Sequence, residues 1–105
     1  MNNYRKLNEE EIRQLIAHSC TADDWANIEV AQDFKTDYVY YTRFSGQVRL
    51  GVFEHEFTLA GGMKKHAGLY QTTLHNVTVG NHCCIENVKN YIANYIIGDY
   101  AFIEN

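Results

Sequence analysis

The sequence predicts a mainly-β fold: a parallel β-helix of about two coils, with eighteen residues per coil, behind a short helical and strand-rich N-terminal cap. Two observations predict the coils. Residues 74–87 and 92–105 repeat one another without a gap, and large apolar residues recur every six positions along them. A third observation, an amphipathic helix with a clear N-terminal cap near the start of the chain, predicts the covering segment.

The repeat places "LHNVTVGNHCCIEN" over "IANYIIGDYAFIEN", and five of the fourteen aligned positions are identical. The identical pairs are Asn76/Asn94, Gly80/Gly98, Ile85/Ile103, Glu86/Glu104 and Asn87/Asn105. A fixed period of this kind is typical of stacked structural units. We therefore expect residues eighteen apart to lie about 4.8 Å apart in neighbouring strands.

The six-residue spacing indicates how each unit folds. It runs through Val79, Ile85, Tyr91, Ile97 and Ile103, and it extends back to Thr73 and Ala67. A helix repeats near 3.6 residues and a strand near 2, so neither alone explains a period of six. Three short strands joined by tight corners explain it, with the spaced residues facing inward.

Small and polar residues suit the expected corners. Gly80 and Gly98 each follow an inward residue, where we expect the corner to need a permissive backbone. Asparagine tolerates left-handed backbone, and stacked asparagines form side-chain amide ladders. Glu86 over Glu104 would place like charges together unless a lysine or water intervenes.

The clearest helix is predicted over residues 7–20. Asn8 is a good N-cap and Glu11 completes a capping box. Ile12, Leu15 and Ile16 have the spacing of one buried face. The resulting predicted organisation is a helical cap at 1–36, a strand-rich connection with room for a partial first coil at 37–66, and the coils at 67–105.

Composition excludes some classes of function. A net charge of −4 and a pI of about 5.6 do not provide a basic surface for nucleic acid. The polar N-terminus and the absence of a long apolar run predict neither a signal peptide nor a membrane span. Three cysteines, two of them adjacent, are not a disulfide framework, so we expect a cytoplasmic protein.

The repeat units "VGNHCC" and "IGDYAF" resemble the hexapeptide repeat of acyltransferases that form left-handed parallel β-helices. The left hand is implied by this resemblance. With "RFSGQVRLG", "GGMKKHAGLY" and "NYIANYIIGD", the chain more specifically resembles the N-terminal part of a long uncharacterised bacterial hexapeptide-repeat family, a domain of unknown function. We expect such a chain to be a fragment of a longer protein, or to bury its open end.

The resemblance implies an acyltransferase acting on a sugar nucleotide or a similar small molecule. Such enzymes use a histidine as general base at a subunit interface, and acyl-coenzyme A or acyl-carrier protein supplies the acyl group; no other cofactor is required. The candidate bases are His66, His75 and His82, with His55 also available. Lys64 and Lys65 are candidate ligands for an anionic group, although solvated lysines in a surface connection explain them as well.

No metal site is predicted, because adjacent strand residues point to opposite faces and the run "HCC" at 82–84 cannot converge. Cys83 is expected in the interior and Cys84 at the surface. Two other functions stay open: a non-catalytic assembly module, and a carbohydrate-binding module that uses the aromatic residues at 38–44. Expected partners are a second copy or further coils and a small-molecule sugar, with neither nucleic acid nor membrane.

Overall fold

The computed structural model describes residues 3–88 and 90–104. Within these ranges there is one α-helix, α1 (Glu9–Ala17), and a series of strands two to four residues long. The strands are β1 (Tyr4–Lys6), β2 (Thr21–Ala22), β3 (Ile28–Ala31), β4 (Val39–Tyr40), β5 (Arg43–Ser45), β6 (Val48–Leu50), β7 (Glu56–Thr58), β8 (Lys64–His66), β9 (Gly68–Tyr70), β10 (Thr73–His75), β11 (Thr78–Val79), β12 (Cys84–Glu86), β13 (Ile92–Ala93), β14 (Ile96–Ile97) and β15 (Phe102–Glu104).

The predicted helix is confirmed, with its capping box. The Asn8 side chain accepts the Glu11 N–H at 2.8 Å, and the Glu11 carboxylate accepts the Asn8 N–H at 3.0 Å. Leu15 is fully buried, but Ile16 is 54% exposed, so its predicted place on the buried face is wrong. In the described ranges no helix has the length and apolarity needed to cross a membrane.

The strands form four sheets. The first has the order β1-β3-β6-β11-β14, the second β13-β10-β5-β2 and the third β15-β12-β9-β4, while β7 and β8 form a separate hairpin. The second and third sheets are parallel throughout. In the first sheet, β1 is antiparallel to β3, and the β7–β8 hairpin is antiparallel as well.

The predicted stacking of the last two layers is confirmed. Three register pairs carry it, one in each large sheet: Leu74 with Ile92, Val79 with Ile97, and Ile85 with Ile103. Each pair is eighteen residues apart, and the strands are parallel. The asparagine ladder is present too, since the Asn76 amide donates to the Asn94 side-chain oxygen at 3.3 Å.

The predicted fold class is nevertheless wrong. The chain is a compact mainly-β structure with four sheets of mixed orientation and one described helix, not a single left-handed β-helix of uniform coils. The eighteen-residue period does not extend to the earlier layers, because Phe44 pairs with Leu74 and Val30 pairs with Leu50. The β7–β8 hairpin lies between β6 and β9 in the chain, and it accounts for the longer separation of Phe44 from Leu74.

The predicted spacing of six residues between inward-facing side chains is also not kept throughout. Tyr91, predicted to face inward, is 67% exposed. Its neighbour Ile92 packs against the core instead, above the fully buried Leu74. The inward spacing is therefore uneven, with a step of seven residues from Ile85 to Ile92.

The corner prediction is partly correct. Asn76 and Asn94 have left-handed backbone, with φ of 52° and 61°. Gly80 and Gly98 do not, so their predicted conformational role is wrong. Position 80 has no room for a side chain, which explains its glycine. A Cβ there would lie 2.5 Å from the Asp99 side-chain oxygen and 2.8 Å from the Asp99 backbone nitrogen.

One continuous hydrophobic core fills the space between the three large sheets. It extends from Leu7 to Ile97 and includes Leu50, Leu69 and Leu74, all three fully buried. The domain boundaries predicted at 36/37 and 66/67 stay predictions.

Candidate functional site

The strands β13, β14 and β15 lie together at one end of the molecule; we call them and the residues that connect them, 92–104, the terminal layer. Each is the last strand of its sheet, with a described neighbour on one side only. The layer below donates backbone N–H groups to it: Thr78 to the Tyr95 carbonyl at 3.0 Å, Gly80 to Ile97 at 2.8 Å and Cys84 to Ala101 at 2.8 Å. By the same register, the amides of Ile96, Gly98 and Phe102 face away from the molecule.

Large apolar side chains surround these free edges. Ile96 is 83% exposed, and Tyr91, Tyr95 and Tyr100 are each more than half exposed. Isolated exposed apolar residues are ordinary, but a strand without an outer neighbour that also exposes a large apolar residue, as β14 exposes Ile96, is typical of a surface that contacts other polypeptide.

A hydrogen-bond arrangement that recurs at three positions joins neighbouring layers; we call it the acceptor step. A glycine in one layer lies beneath an Asn or Asp of the next, and that side-chain oxygen accepts the backbone N–H just after the glycine. Val52 N–H donates to Asn81 at 3.1 Å, above Gly51. Asn81 N–H donates to Asp99 at 2.7 Å, above Gly80.

The acceptor step also occurs at a third position. The Gln47 N–H donates to the Asn76 side-chain oxygen at 2.9 Å, and a Cβ on Gly46 would lie 2.0 Å from that oxygen. Sequence reasoning missed Asn81 and Asp99 as acceptors. The dipeptides "GN" at 80–81 and "GD" at 98–99 were the available signal, because only glycine leaves room beneath the acceptor.

His66, the first candidate base, lines a cavity of about 320 Å³. Its ring stacks on Tyr38, with centroids 3.5 Å apart. Its Nδ1 lies 2.8 Å from the Ala67 carbonyl oxygen, so Nδ1 carries the proton and donates, while Nε2 is the nitrogen left to accept. The charged residues that also line the cavity are Asp33, Lys35, Asp37 and Glu54.

His75 lines a different cavity, of about 310 Å³, with Ser45, Thr73 and Tyr91. Its Nδ1 lies 2.8 Å from Ser45 Oγ and its Nε2 lies 3.2 Å from the Asn76 amide nitrogen. Because the Asn76 oxygen already accepts the Gln47 N–H, its nitrogen donates to Nε2, and Nδ1–H must donate to Ser45. In this tautomer His75 cannot take a proton from Ser45, so the pair is not arranged for nucleophilic catalysis.

His82 and His55 lie near one another, 6.3 Å between ring centroids, beside Tyr100. The Glu54 N–H donates to His82 Nδ1 at 3.2 Å. The predicted candidates are therefore spread over separate places: His66 in one cavity, His75 in another, and His82 at a corner with φ of 61°.

Lys65 contacts carboxylates of its own chain. Its Nζ lies 2.5 Å from Glu86 and 3.6 Å from Glu104, so a lysine does relieve the stacked like charges. The hydrogen bond with Glu86 raises the pKa of Lys65. Lys64 lies 3.6 Å from Glu56 on the exposed hairpin. These pairs compete with the anionic ligand that the sequence suggested for both lysines.

The cysteines Cys20, Cys83 and Cys84 are free and buried. The predicted exposure of Cys84 is wrong, because the β7–β8 hairpin covers that face of the third sheet, with Phe57 against Phe102 and Lys65 against Glu86. Burial raises the pKa of Cys84 to about 11. Among the residues that the structure describes, no cluster of three His, Cys, Asp or Glu side chains is placed to hold a metal ion.

Comparison with known proteins identifies the family. The model of a domain of unknown function, DUF4954, matches residues 4–105. The chain belongs to this family. An uncharacterized protein of Treponema pallidum (strain Nichols) is 31% identical to it over 106 aligned residues, which cover 95% of this DUF4954 chain and 14% of the relative. No solved structure matches the chain.

Proposed function

We propose that this chain is a non-catalytic assembly module whose terminal layer binds further polypeptide by parallel strand pairing. One observation carries the proposal: β13, β14 and β15 lie together at one end, and none of the three has a described strand on its outer side. Backbone hydrogen bonds along an exposed edge supply affinity for an added strand, and side-chain pockets supply specificity.

Two further observations support this function. The strands β13 and β14 contain neither proline nor a charged residue, and β14 carries the 83% exposed Ile96, whereas edges that avoid pairing usually carry proline or charge. In addition, the matched region is 14% of the Treponema pallidum relative, so in that protein much more polypeptide accompanies it.

The test is to fuse a second copy of residues 88–105 after Asn105 and to measure amide hydrogen exchange. We expect slower exchange at Ile96, Gly98 and Phe102 of the original layer, together with a higher Tm. A fusion that carries the same eighteen residues in scrambled order is the matched control. If both fusions leave these three amides exchanging as fast as in residues 1–105 alone, the terminal layer is not a pairing surface.

A second candidate function is acyl transfer to a sugar nucleotide or similar small molecule, with acyl-coenzyme A or acyl-carrier protein as donor. The observation that favours it is the cavity beside His66, whose free Nε2 has the acceptor role that a general base needs. Lys35 is the cation of that cavity and a candidate for the anionic part of the donor.

The assay is release of free coenzyme A from acetyl-coenzyme A in the presence of a sugar nucleotide. We expect His66→Ala to abolish release and His75→Ala to leave it unchanged, because His75 donates to Ser45. The absence of turnover in the unsubstituted chain would remove this candidate and leave the assembly function.

Carbohydrate binding by the aromatic residues at 38–44 has less support. Tyr38 stacks on His66 and Tyr40 stacks on His18, while Phe44 is buried. Tyr41 is the more accessible ring, at 58% exposure. For the compartment we propose the cytoplasm, because free buried thiols suit a reducing environment.

A further inference from the structure

The acceptor step recurs at the last two junctions of the first sheet, between β6 and β11 and between β11 and β14. Asn81 covers Gly51 and accepts the Val52 N–H, then Asp99 covers Gly80 and accepts the Asn81 N–H. Gly98 is the next glycine in this column. A Cβ built on Gly98 would meet no atom of the described chain within 4 Å, whereas on Gly51 or Gly80 it would meet one within 2.5 Å.

We infer that the terminal layer binds a polypeptide segment that places an asparagine side chain above Gly98, where its oxygen accepts the Asp99 N–H. This rests on the proposed assembly function and adds the chemistry of the partner. Among the described hydrogen bonds, none has the Asp99 N–H as donor. The Asp99 side chain is already engaged below, with Asn81.

The charge of the surface favours asparagine over aspartate at that position. Asp99 and Glu104 both lie in the terminal layer, and Lys65 is nearer to Glu86 than to Glu104. A carboxylate stacked directly above Asp99 would add like-charge repulsion about 4.8 Å away, which a neutral amide avoids.

The same charges argue against a second copy of this chain as the occupant. Two terminal layers packed face to face would bring Asp99 and Glu104 of both copies together. A head-to-tail arrangement would instead meet the opposite end, where β1 runs antiparallel to β3 and His18, just after α1, hydrogen-bonds with Val39 and Tyr41. The occupant is therefore a polypeptide segment other than residues 1–105, paired in parallel with the terminal layer.

The experiment compares four fusions that carry the second copy of residues 88–105. In the appended copy, the residue that corresponds to Asp99 is either kept or changed. The three changes are Asp99→Asn, Asp99→Ala and Asp99→Leu. We expect the Asp99→Asn copy to give the largest Tm and the slowest exchange of the original Asp99 amide. The Asp99→Ala copy lacks this hydrogen bond, so we expect the original Asp99 amide to exchange about tenfold faster than with the Asp99→Asn copy.

Gly98→Ala in the original layer is the reciprocal variant. In residues 1–105 alone it should leave Tm unchanged, which shows that the fold tolerates it, because nothing described is within 4 Å. In the Asp99→Asn fusion it should abolish the gain in Tm, because the new Cβ would occupy the place of the amide oxygen.

The outcomes separate the two proposals. If all four fusions protect Ile96, Gly98 and Phe102 equally and Gly98→Ala changes nothing, the terminal layer pairs with polypeptide but the asparagine inference is overturned. If none of the four protects these amides, the assembly function fails and the inference fails with it. A concentration-dependent dimer of residues 1–105 in sedimentation, with these amides protected, would overturn the choice of occupant.

Discussion

The two ends of this molecule differ in what lies over the outermost parallel strands of the large sheets. At the N-terminal end, β1 pairs antiparallel with β3, and the helix end reaches β4, where the His18 carbonyl accepts the Tyr41 N–H at 3.0 Å. At the other end, β13, β14 and β15 have no described strand beyond them. An antiparallel strand and the end of a helix thus lie over the outermost layer at the N-terminal end, and neither is described at the other end.

The N-terminal cap depends on one charged cluster. Arg5 donates twice to the Glu11 carboxylate, each bond 2.8 Å long, and the same carboxylate accepts the Asn8 N–H. Strand β1 and helix α1 are thereby joined. The terminal layer has no comparable pair among its described side chains beyond Lys65 with Glu104 at 3.6 Å.

The largest contrast is expected from one substitution made in two layers. Ile85 is fully buried, and Ile103, its register partner in the terminal layer, is partly buried. Ile85→Ala should lower the free energy of unfolding by about 3 kcal/mol, and Ile103→Ala by about 1 kcal/mol, because less apolar surface leaves the core. Urea denaturation measures both; equal losses would mean that the terminal layer is as well packed as the layer below.

A smaller contrast is expected at the glycines. In Gly80→Ala the new Cβ would meet backbone atoms of Gly98 and Asp99 at 2.9 Å and 2.8 Å, which cannot move as a flexible side chain could. We expect a loss of about 2 kcal/mol from overpacking. Gly98→Ala is the matched control without such contacts, and thermal unfolding of the two variants should differ by several degrees. Equal Tm values would contradict the close approach at Gly80.

At the covered end, Glu11→Gln tests the charged cluster. The hydrogen bonds from Arg5 hold the pKa of Glu11 below its ordinary value of 4.5. A lowered pKa in the folded state stabilises the protein above pH 4.5, and this contribution is lost as the pH falls through the folded value. We expect Glu11→Gln to cost about 1 kcal/mol at pH 7.

The pH profile of that variant is the decisive measurement. The difference in unfolding free energy from the original chain should shrink steadily below pH 4.5, as Glu11 itself becomes protonated. Glu10→Gln, at the exposed Arg13 pair, is the control and should change stability less. A difference that stays constant down to acid pH would show that the charge of Glu11 is not what matters.

The smallest effect is expected from Lys65→Met. Lys65 lies between two carboxylates, that of Glu104 in the terminal layer and that of Glu86 in the layer below it. Its removal leaves the two carboxylates stacked, which should cost about 0.5 kcal/mol because the site is partly exposed. Raising the salt concentration should reduce the difference, since exposed charges are screened. Lys64→Met, on the outer hairpin, is the control; an equal cost there would argue against a bridging role.

Local signals in the sequence were sufficient for the local structure. The capping box of Asn8 and Glu11 was predictable because its two hydrogen bonds connect residues three apart. The register of Val79 with Ile97 was predictable because two neighbouring layers have the same length. Of the candidate site, the exposed last layer could be expected from this register, but the acceptor steps could not, because they join residues 18 and 29 apart through side-chain geometry.

The sequence by itself determined the helix and its cap, the mainly-β character and the eighteen-residue pairing of the last two layers. The tertiary structure alone decided that earlier layers have other lengths, that β1 and the β7–β8 hairpin run antiparallel, and that Tyr91 faces outward while Ile92 packs inward. The physical reason is that register depends on what each strand can bury against its neighbours. A period seen in two layers does not specify the layers beneath them.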